Sequence, residues 1–425
     1  MKHVFGNRNN LNIYLRQKNH SLYKKFKKLY VDKKRIQSKI ICCYPSFKSQ
    51  SEKINILNRF AWAFPENSGV KILHSTDYNA SDTTMEESEK MLENQEFFLK
   101  SSHNIQEVSN ESLVSSFEDS QSIAIHKKSN KYDLKLWDHR FKCEIIDPTY
   151  YSIEEGNFWK FGLYNTLDRE EKEFYSELST KNFNRFRELN SNKKRANIFV
   201  TGPSFGSYKE FKFLPEESIN IVCNTIVKDT EFLDFIGGAD IITFADPVFH
   251  FSSNNYSCEF RRLVINAVKR YNSFVVVPHA TIPLLIYNHP ELKDNIIGLK
   301  RADKITFPSK NELSVMPASS IITFIMLPLG ISLADEIYVL GADGRGKNEK
   351  YFWKHNDKVQ LTDLMESVFK THPSFFRDRD YADYYEEHCK FIERMIVKGE
   401  NELNKKIYSL SESFIPAFQN RLFKR

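Results

Sequence analysis

Residues 196–224, ANIFVTGPSFGSYKEFKFLPEESINIVCN, constrain the fold more than any other stretch. Residues 197–201 form a short apolar run with β-branched side chains, and it stops at Gly202-Pro203-Ser204. After a Leu-Pro break, residues 219–223 make a second β-rich run that ends on Asn224. A buried strand, a tight glycine turn and a second strand make an opening suited to a nucleotide. Such a turn lets the backbone approach a phosphate, its N–H groups point at the anion, and Ser204 adds a hydroxyl donor. Gly-Pro-Ser is equally good chemistry for an ordinary turn, so the motif alone decides nothing.

The pattern then repeats. Residues 240–245 read as a strand ending at Asp246-Pro247, 259–271 as a helix, and 273–277 as a strand closed by Pro278-His279. Residues 304–307 read as a short strand and 318–333 as an apolar helix. A strand over 336–340 leads into Gly341-Ala342-Asp343-Gly344-Arg345. This alternation points to the α/β class, with a Rossmann-like, doubly wound, mostly parallel sheet over residues 196–425. Ligands in such sheets sit at the carboxyl ends of the strands. Five of those ends carry polar or turn residues: Gly202, Asn224, Asp246, Pro278-His279 and Asp343 to Arg345. Beyond residue 361 the pattern is helical, with helices expected over 380–398 and 402–410.

The first half gives a second, smaller α/β unit over residues 40–190. Strands are expected at 40–44, 70–74, 122–125 and 143–146, with a helix over 51–64. Residues 77–120 are polar and acidic, with a helical stretch at 86–98. A helix over 169–189 and the polar linker NSNKKR at 190–195 follow, and the domain boundary is placed at that linker. This smaller unit is assigned to the acceptor or to partners. Residues 1–39 carry twelve Lys and Arg against one Asp, interleaved with Leu22, Tyr23, Phe26, Leu29 and Tyr30. That spacing makes a basic amphipathic helix, suited either to an anionic lipid surface or to its own domain.

With 425 residues the chain is long enough for two or three domains, and a formal charge of +6 does not call for nucleic acid. The six cysteines show neither CxxC pairs nor metal-ligand spacing, which fits reduced thiols. The start lacks the pattern of a secretory signal. The apolar stretch at 318–334 is too short to span a bilayer and is broken by Pro328 and Gly330. A cytoplasmic protein is therefore expected, touching the inner membrane peripherally through its basic N- and C-terminal segments.

Three stretches in order carry a family resemblance. They are VTGPSF with LPEESINIVCN, then DIITFADPVFHF, then ASSIITFIMLPLGISLADEIYVLGADGR. Together, residues 196–400 resemble the bacterial sialyltransferases that build host-like lipooligosaccharides, which are Rossmann-like enzymes using CMP-sialic acid. Flagellin-modifying glycosyltransferases and a pterin pyrophosphokinase-like family share the GPS opening.

The resemblance implies that Gly202, Pro203 and Ser204 hold the nucleotide, with Thr201 in place of the usual Asn. Asn224 matches a donor-contacting Asn, and Asp246 stands where a second Asn is usual. Ser319 and Ser320 fall near a Thr-Ser-Gly contact. Tyr351 matches the second of two tyrosines on the leaving phosphate, and Arg345 takes the place of the first. His372 matches the general base, with His279 as a second candidate. The implied reaction is inverting transfer of a sialic or related ulosonic acid from a CMP-sugar to a cell-surface glycan. The expected partners are a nucleotide-sugar donor and a glycan acceptor, without nucleic acid, and a homo-oligomer is allowed. No cofactor or divalent metal is expected. Asp378-Arg379-Asp380 is a DxD, but one that precedes a helix, where acids favour the N-terminus. Two alternatives stand beside this reading. One is a metal-dependent nucleoside diphosphate-sugar transferase or a pyrophosphokinase-like enzyme. The other is a nucleotide- or glycan-binding assembly protein without turnover.

Overall fold

A computed structural model describes residues 38–78, 104–149, 152–214, 217–318, 320–345, 357–374 and 382–424. The basic segment at 1–39 lies almost wholly outside these residues, as do the helical stretch at 86–98 and the DxD.

The doubly wound α/β architecture expected from the sequence is present twice. The first sheet has five strands, β1 (Ile40–Tyr44), β2 (Lys71–His74), β3 (Ile105–Glu107), β4 (Ser122–Ile125) and β5 (Cys143–Ile145), in the order β3-β2-β1-β4-β5. The second has eight: β6 (Arg195–Phe199), β7 (Ser218–Cys223), β8 (Ile241–Thr243), β9 (Phe274–Pro278), β10 (Ile296–Arg301), β11 (Ser314–Val315), β12 (Glu336–Leu340) and β13 (Lys406–Ser409). Their order is β11-β10-β9-β8-β7-β6-β12-β13, and the pairings in both sheets are parallel. Parallel sheets are buried on both faces, which is why β7 and β9 are near-continuous apolar runs. From β6 the chain winds outward to β11, then returns to lay β12 against the other side of β6. The switch point of the large sheet therefore falls between the Gly202 turn and the Asp343 turn.

The helices around the two sheets include α1 (Gln50–Ala63), α2 (Asn110–Ser115), α3 (Ser152–Thr166), α4 (Arg169–Leu189), α5 (Asn255–Tyr271), α6 (Ile282–Asn288), α7 (Leu327–Leu333), α8 (Met365–Thr371) and α9 (Ala382–Leu403). An Asp168 capping box starts α4. Helix α4 precedes the polar linker yet packs on the second sheet. Asn182 donates to the carbonyls of Lys293 and Ile296 at 3.0 and 2.8 Å, and Phe186 meets Phe274 edge-on at 5.1 Å. The core of the large sheet accordingly takes in Leu167, Tyr175, Leu178, Phe183 and Phe186 ahead of the linker, together with Trp62 of α1.

Three elements differ from the sequence expectation. Residues 304–307 are coil, and the strand beside β9 is β10, whose apolar run is interrupted by Gly298 and ends on Lys300-Arg301, with β11 at the edge beyond it. The helix expected over 402–410 is instead strand β13. Helix α9 stops where Asn404 takes a left-handed φ of 53°, and the alternating Ile407 and Ser409 are buried against β12. The apolar helix at 318–333 opens with a π turn at Ile322–Met326 before α7. Pro328 has no N–H to give to a preceding carbonyl, and the wider winding just before it accommodates that loss.

The two sheets meet through α3. Its Gly156 sits against Pro247, where a Cβ would stand 3.0 Å from the proline ring. Between the sheets lies a sealed polar cluster. Glu155 accepts from Arg59 Nη1 at 3.1 Å, from the Trp159 indole and, at 2.9 Å, from His372 Nδ1. Arg59 Nη2 also donates to the Thr371 carbonyl at 2.7 Å. Glu155 and His372 are fully buried and Arg59 is 2 % exposed. Removing one partner of such a group leaves buried charge uncompensated. Glu155→Ala is therefore expected to cost about 3–5 kcal/mol in urea unfolding; a loss below about 1 kcal/mol would contradict this reading of the joint.

Candidate functional site

The five strand ends singled out from the sequence belong to β9, β8, β7, β6 and β12, which are consecutive neighbours in the large sheet. They form one continuous rim along its carboxyl edge.

At the switch point the two turns interlock. Gly202 N–H donates to the Gly341 carbonyl at 3.0 Å, and a Cβ on Gly202 would stand 2.3 Å from that oxygen. Only glycine fits so close an approach. Pro203 follows as the first residue of a 3₁₀ turn, with no N–H to satisfy. Ser204 N–H donates to the Asp343 carboxylate at 2.8 Å, and the Ser204 hydroxyl donates to the same carboxylate. The donors expected to face a phosphate thus face a carboxylate of the protein. Ser411 stands 2.8 Å from the Ser204 hydroxyl, and Ser413 donates to the Ala342 carbonyl at 2.7 Å, so the C-terminal segment is tied into the same knot. Thr201 is buried just before the turn.

Asn224 closes β7 with a left-handed φ of 49°. Its side-chain carbonyl oxygen is buried and makes no hydrogen bond within the protein. Such an oxygen carries a desolvation penalty that a ligand donor would relieve. At the end of β8, Asp246 accepts from the backbone N–H groups of Val248 and Phe249 at 2.8 and 3.1 Å, and its own N–H donates to His250 Nδ1 at 3.0 Å.

Lys160 reaches this rim from α3. Its ammonium donates to the Ala245 carbonyl and lies 5.1 Å from the Phe251 ring centroid. Burial pushes its pKa down to about 7, with nearby Asp246 opposing and Arg301 adding to the shift. His279, at the end of β9, is pushed down to about 4 by burial and by Lys300, and its Nδ1 makes no hydrogen bond. Burial likewise pushes His250 down to about 3. Both imidazoles are neutral at physiological pH.

Arg345 is buried. Its backbone N–H donates to the Tyr385 hydroxyl at 2.9 Å, and its guanidinium lies 4.8 Å over the Tyr385 ring. Ser320 stands just before the π turn, which packs near β7, and its backbone carbonyl accepts from Phe324 N–H at 2.8 Å. His372 is placed in the joint between the sheets, with Nδ1 on Glu155 and Nε2 on the Ser252 hydroxyl at 2.7 Å. Tyr351 and Ser319 lie outside the described residues. Among the described residues no cluster of three His, Cys, Asp or Glu could hold a metal, and no helix is long and apolar enough to cross a membrane.

Lys160 and Glu155 were missed from sequence. The signal for Lys160 was a single cation inside the apolar run FWKFG. Comparison of the chain with protein-family models, curated proteins and solved structures found no match.

The Lys160 shift has a definite sign. Its folded pKa lies below its ordinary value, so between about pH 7 and the ordinary lysine range the unfolded chain binds more protons, and stability rises with pH. Lys160→Met is expected to stabilise the fold at pH 6.5–7 by on the order of 3–5 kcal/mol, narrowing toward zero near pH 10. Urea unfolding of both proteins across that range checks it, and a pH-independent gap contradicts it.

Proposed function

We propose that the chain is a glycosyltransferase whose large sheet binds a CMP-activated sialic or related ulosonic acid, with a cell-surface glycan as acceptor. The observation that carries this reading is the adjacency of the five strand ends. Residues scattered over more than 140 positions of sequence converge on one rim, with the unsatisfied Asn224 oxygen in its middle. A cytosine amino group, or a ribose or sugar hydroxyl, would supply the donor that this oxygen lacks.

In the proposed reaction the acceptor oxygen attacks the anomeric carbon as the bond to the CMP phosphate breaks, and configuration inverts. The acceptor hydroxyl proton goes to a base, and the charge that develops on the leaving phosphate needs a cation or hydrogen-bond donors. Arg345 and Tyr351 remain the proposed phosphate partners. For the base, the rim favours Lys160. In its neutral form the amine donates to the Ala245 carbonyl and keeps a lone pair for the proton. His372, with both ring nitrogens engaged in the joint, is assigned a positioning role, because it holds the helix that carries Lys160.

A second reading has one specific observation in its favour. Asp343 already takes the Ser204 donors, as it would in a nucleotide- or glycan-binding protein without turnover.

A thermal-shift screen with CMP, CDP, UDP, GDP and ATP, with and without EDTA, separates these readings. CMP near 100 times its Kd is expected to stabilise the protein by about 2.7 kcal/mol regardless of EDTA. Asn224→Ala should weaken CMP binding about tenfold. A response to UDP with manganese alone would favour the metal-dependent alternative, and no response to any nucleotide would remove the donor site. With CMP binding intact, loss of about 10²–10⁴ in turnover in Lys160→Met marks an enzyme; absence of any transfer in the wild type marks a binding protein.

A further inference from the structure

We propose that the chain cuts its own backbone between Phe251 and Ser252, through an ester formed by the Ser252 hydroxyl inside the joint between the sheets. The joint assembles the parts of such a reaction from separate segments. The Ser252 hydroxyl stands 2.7 Å from His372 Nε2, and His372 Nδ1 stands 2.9 Å from the Glu155 carboxylate. That carboxylate also faces the N–H donors of Arg59 and Trp159, so it accepts from every side. Nδ1 therefore carries the ring proton, and Nε2 offers its lone pair to the hydroxyl. A nucleophile, a base within reach and a third group that orients the base make the constellation of nucleophilic catalysis, which geometry identifies and sequence order does not.

The acyl group is the chain itself. The Phe251 carbonyl accepts from the Trp62 indole N–H at 2.8 Å. That donor is aimed at the oxygen on which negative charge develops when the Phe251 carbonyl carbon is attacked. Arg261 Nη1 donates to the carbonyls on either side, of His250 and Ser252, at 3.0 and 2.8 Å, and so holds the backbone around the bond. Ser252 and His372 are both buried. An outside substrate has no way to this hydroxyl, whereas the preceding carbonyl is already beside it. Burial therefore favours self-cleavage over hydrolysis of other molecules.

In the reaction, Ser252 Oγ attacks the Phe251 carbonyl carbon and its proton passes to His372 Nε2. The C–N bond then breaks, and its electron pair leaves with the Ser252 nitrogen, which takes the proton back from His372. The amide has become an ester between Phe251 and the Ser252 side chain, with a free amino group on Ser252. The ester is less stable than the amide, so it forms to a small extent and is drained by water, which leaves a Phe251 carboxylate and a Ser252 amino terminus. The cut falls between β8 and β9, and the pairings of β8 with β9 and of β6 with β12 keep the two pieces together. It adjoins the rim, because the Phe251 ring lies 5.1 Å from the Lys160 ammonium. The proposal does not depend on the donor, because its test reads the mass of the chain.

The full chain is to be incubated with neutral hydroxylamine, which opens esters, and followed by intact mass spectrometry. The sequence has no Asn-Gly bond, which hydroxylamine also opens. Two fragments are expected, one ending in a hydroxamate at Phe251 and one beginning with Ser252, and water alone should give the Phe251 carboxylate more slowly. Ser252→Ala should abolish cleavage with far-ultraviolet circular dichroism unchanged, and Ser252→Cys should restore it through a thioester. His372→Gln should slow it about 10²–10⁴-fold, and Trp62→Phe about 10²–10³-fold. A wild-type chain that keeps its intact mass in hydroxylamine would overturn the proposal. So would cleavage of this bond in Ser252→Ala, an unchanged rate in His372→Gln, or a carboxylate without hydroxamate at Phe251 in hydroxylamine, which marks a contaminating protease.

Discussion

The buried carboxylate of Glu155 is the constraint on which the arrangement of the two sheets depends. It has no access to water, so every lone pair must be met by the protein. The groups that meet it come from α1, from α3 itself and from the residue that ends α8. Burial lowers the pKa of Arg59, and Glu155 acts against that shift. The pair is therefore mutually dependent: either charge alone would be costly in this place. Once Glu155 is held, α3 is fixed in position and in rotation. Trp62 extends the same joint by donating to the Phe251 carbonyl at 2.8 Å beneath the Arg261 guanidinium.

The fixed rotation of α3 connects this joint to chemistry. Glu155 and Lys160 are five positions apart on one helix. With the first locked into the joint, the second is carried to the end of β8. Its ammonium is desolvated between aromatic rings and a backbone carbonyl. An ionisable group that titrates near neutrality at the carboxyl edge of a parallel sheet is a site candidate on physical grounds. Asp343 complicates the picture at the other end of the rim. Its carboxylate already takes both Ser204 donors, so an anion could bind at that turn only by displacing it.

Much of this was legible in the chain. The strands of the large sheet announced themselves because parallel strands buried on both faces are unbroken apolar runs, as in β7 and β9. The polar residues that end them were readable for the same reason, since a polar residue after such a run marks the sheet edge. What hid were elements whose local pattern is poor. Only the first four residues of β10 are buried, and its run is broken by Gly298. Strand β13 has a helical neighbour, and it is a strand because β12 offers an edge. In the site, Gly202 and Asn224 were visible as turn chemistry. The pairing of Glu155 with His372 was not, because it joins residues 217 positions apart and leaves no local pattern. His372 was read as a base from its place in sequence, whereas its two hydrogen bonds place it in the joint.

Amide hydrogen exchange of the full chain, with and without CMP, tests most directly whether the carboxyl edge of the large sheet, capped by α3, is the ligand site. Slower exchange in residues 200–204, 224–228, 245–250 and 341–345, with the first sheet unchanged, is the expected result. Unchanged exchange in those segments, with protection instead at residues 44–49 and 126–128 at the carboxyl edge of the first sheet, would contradict the account.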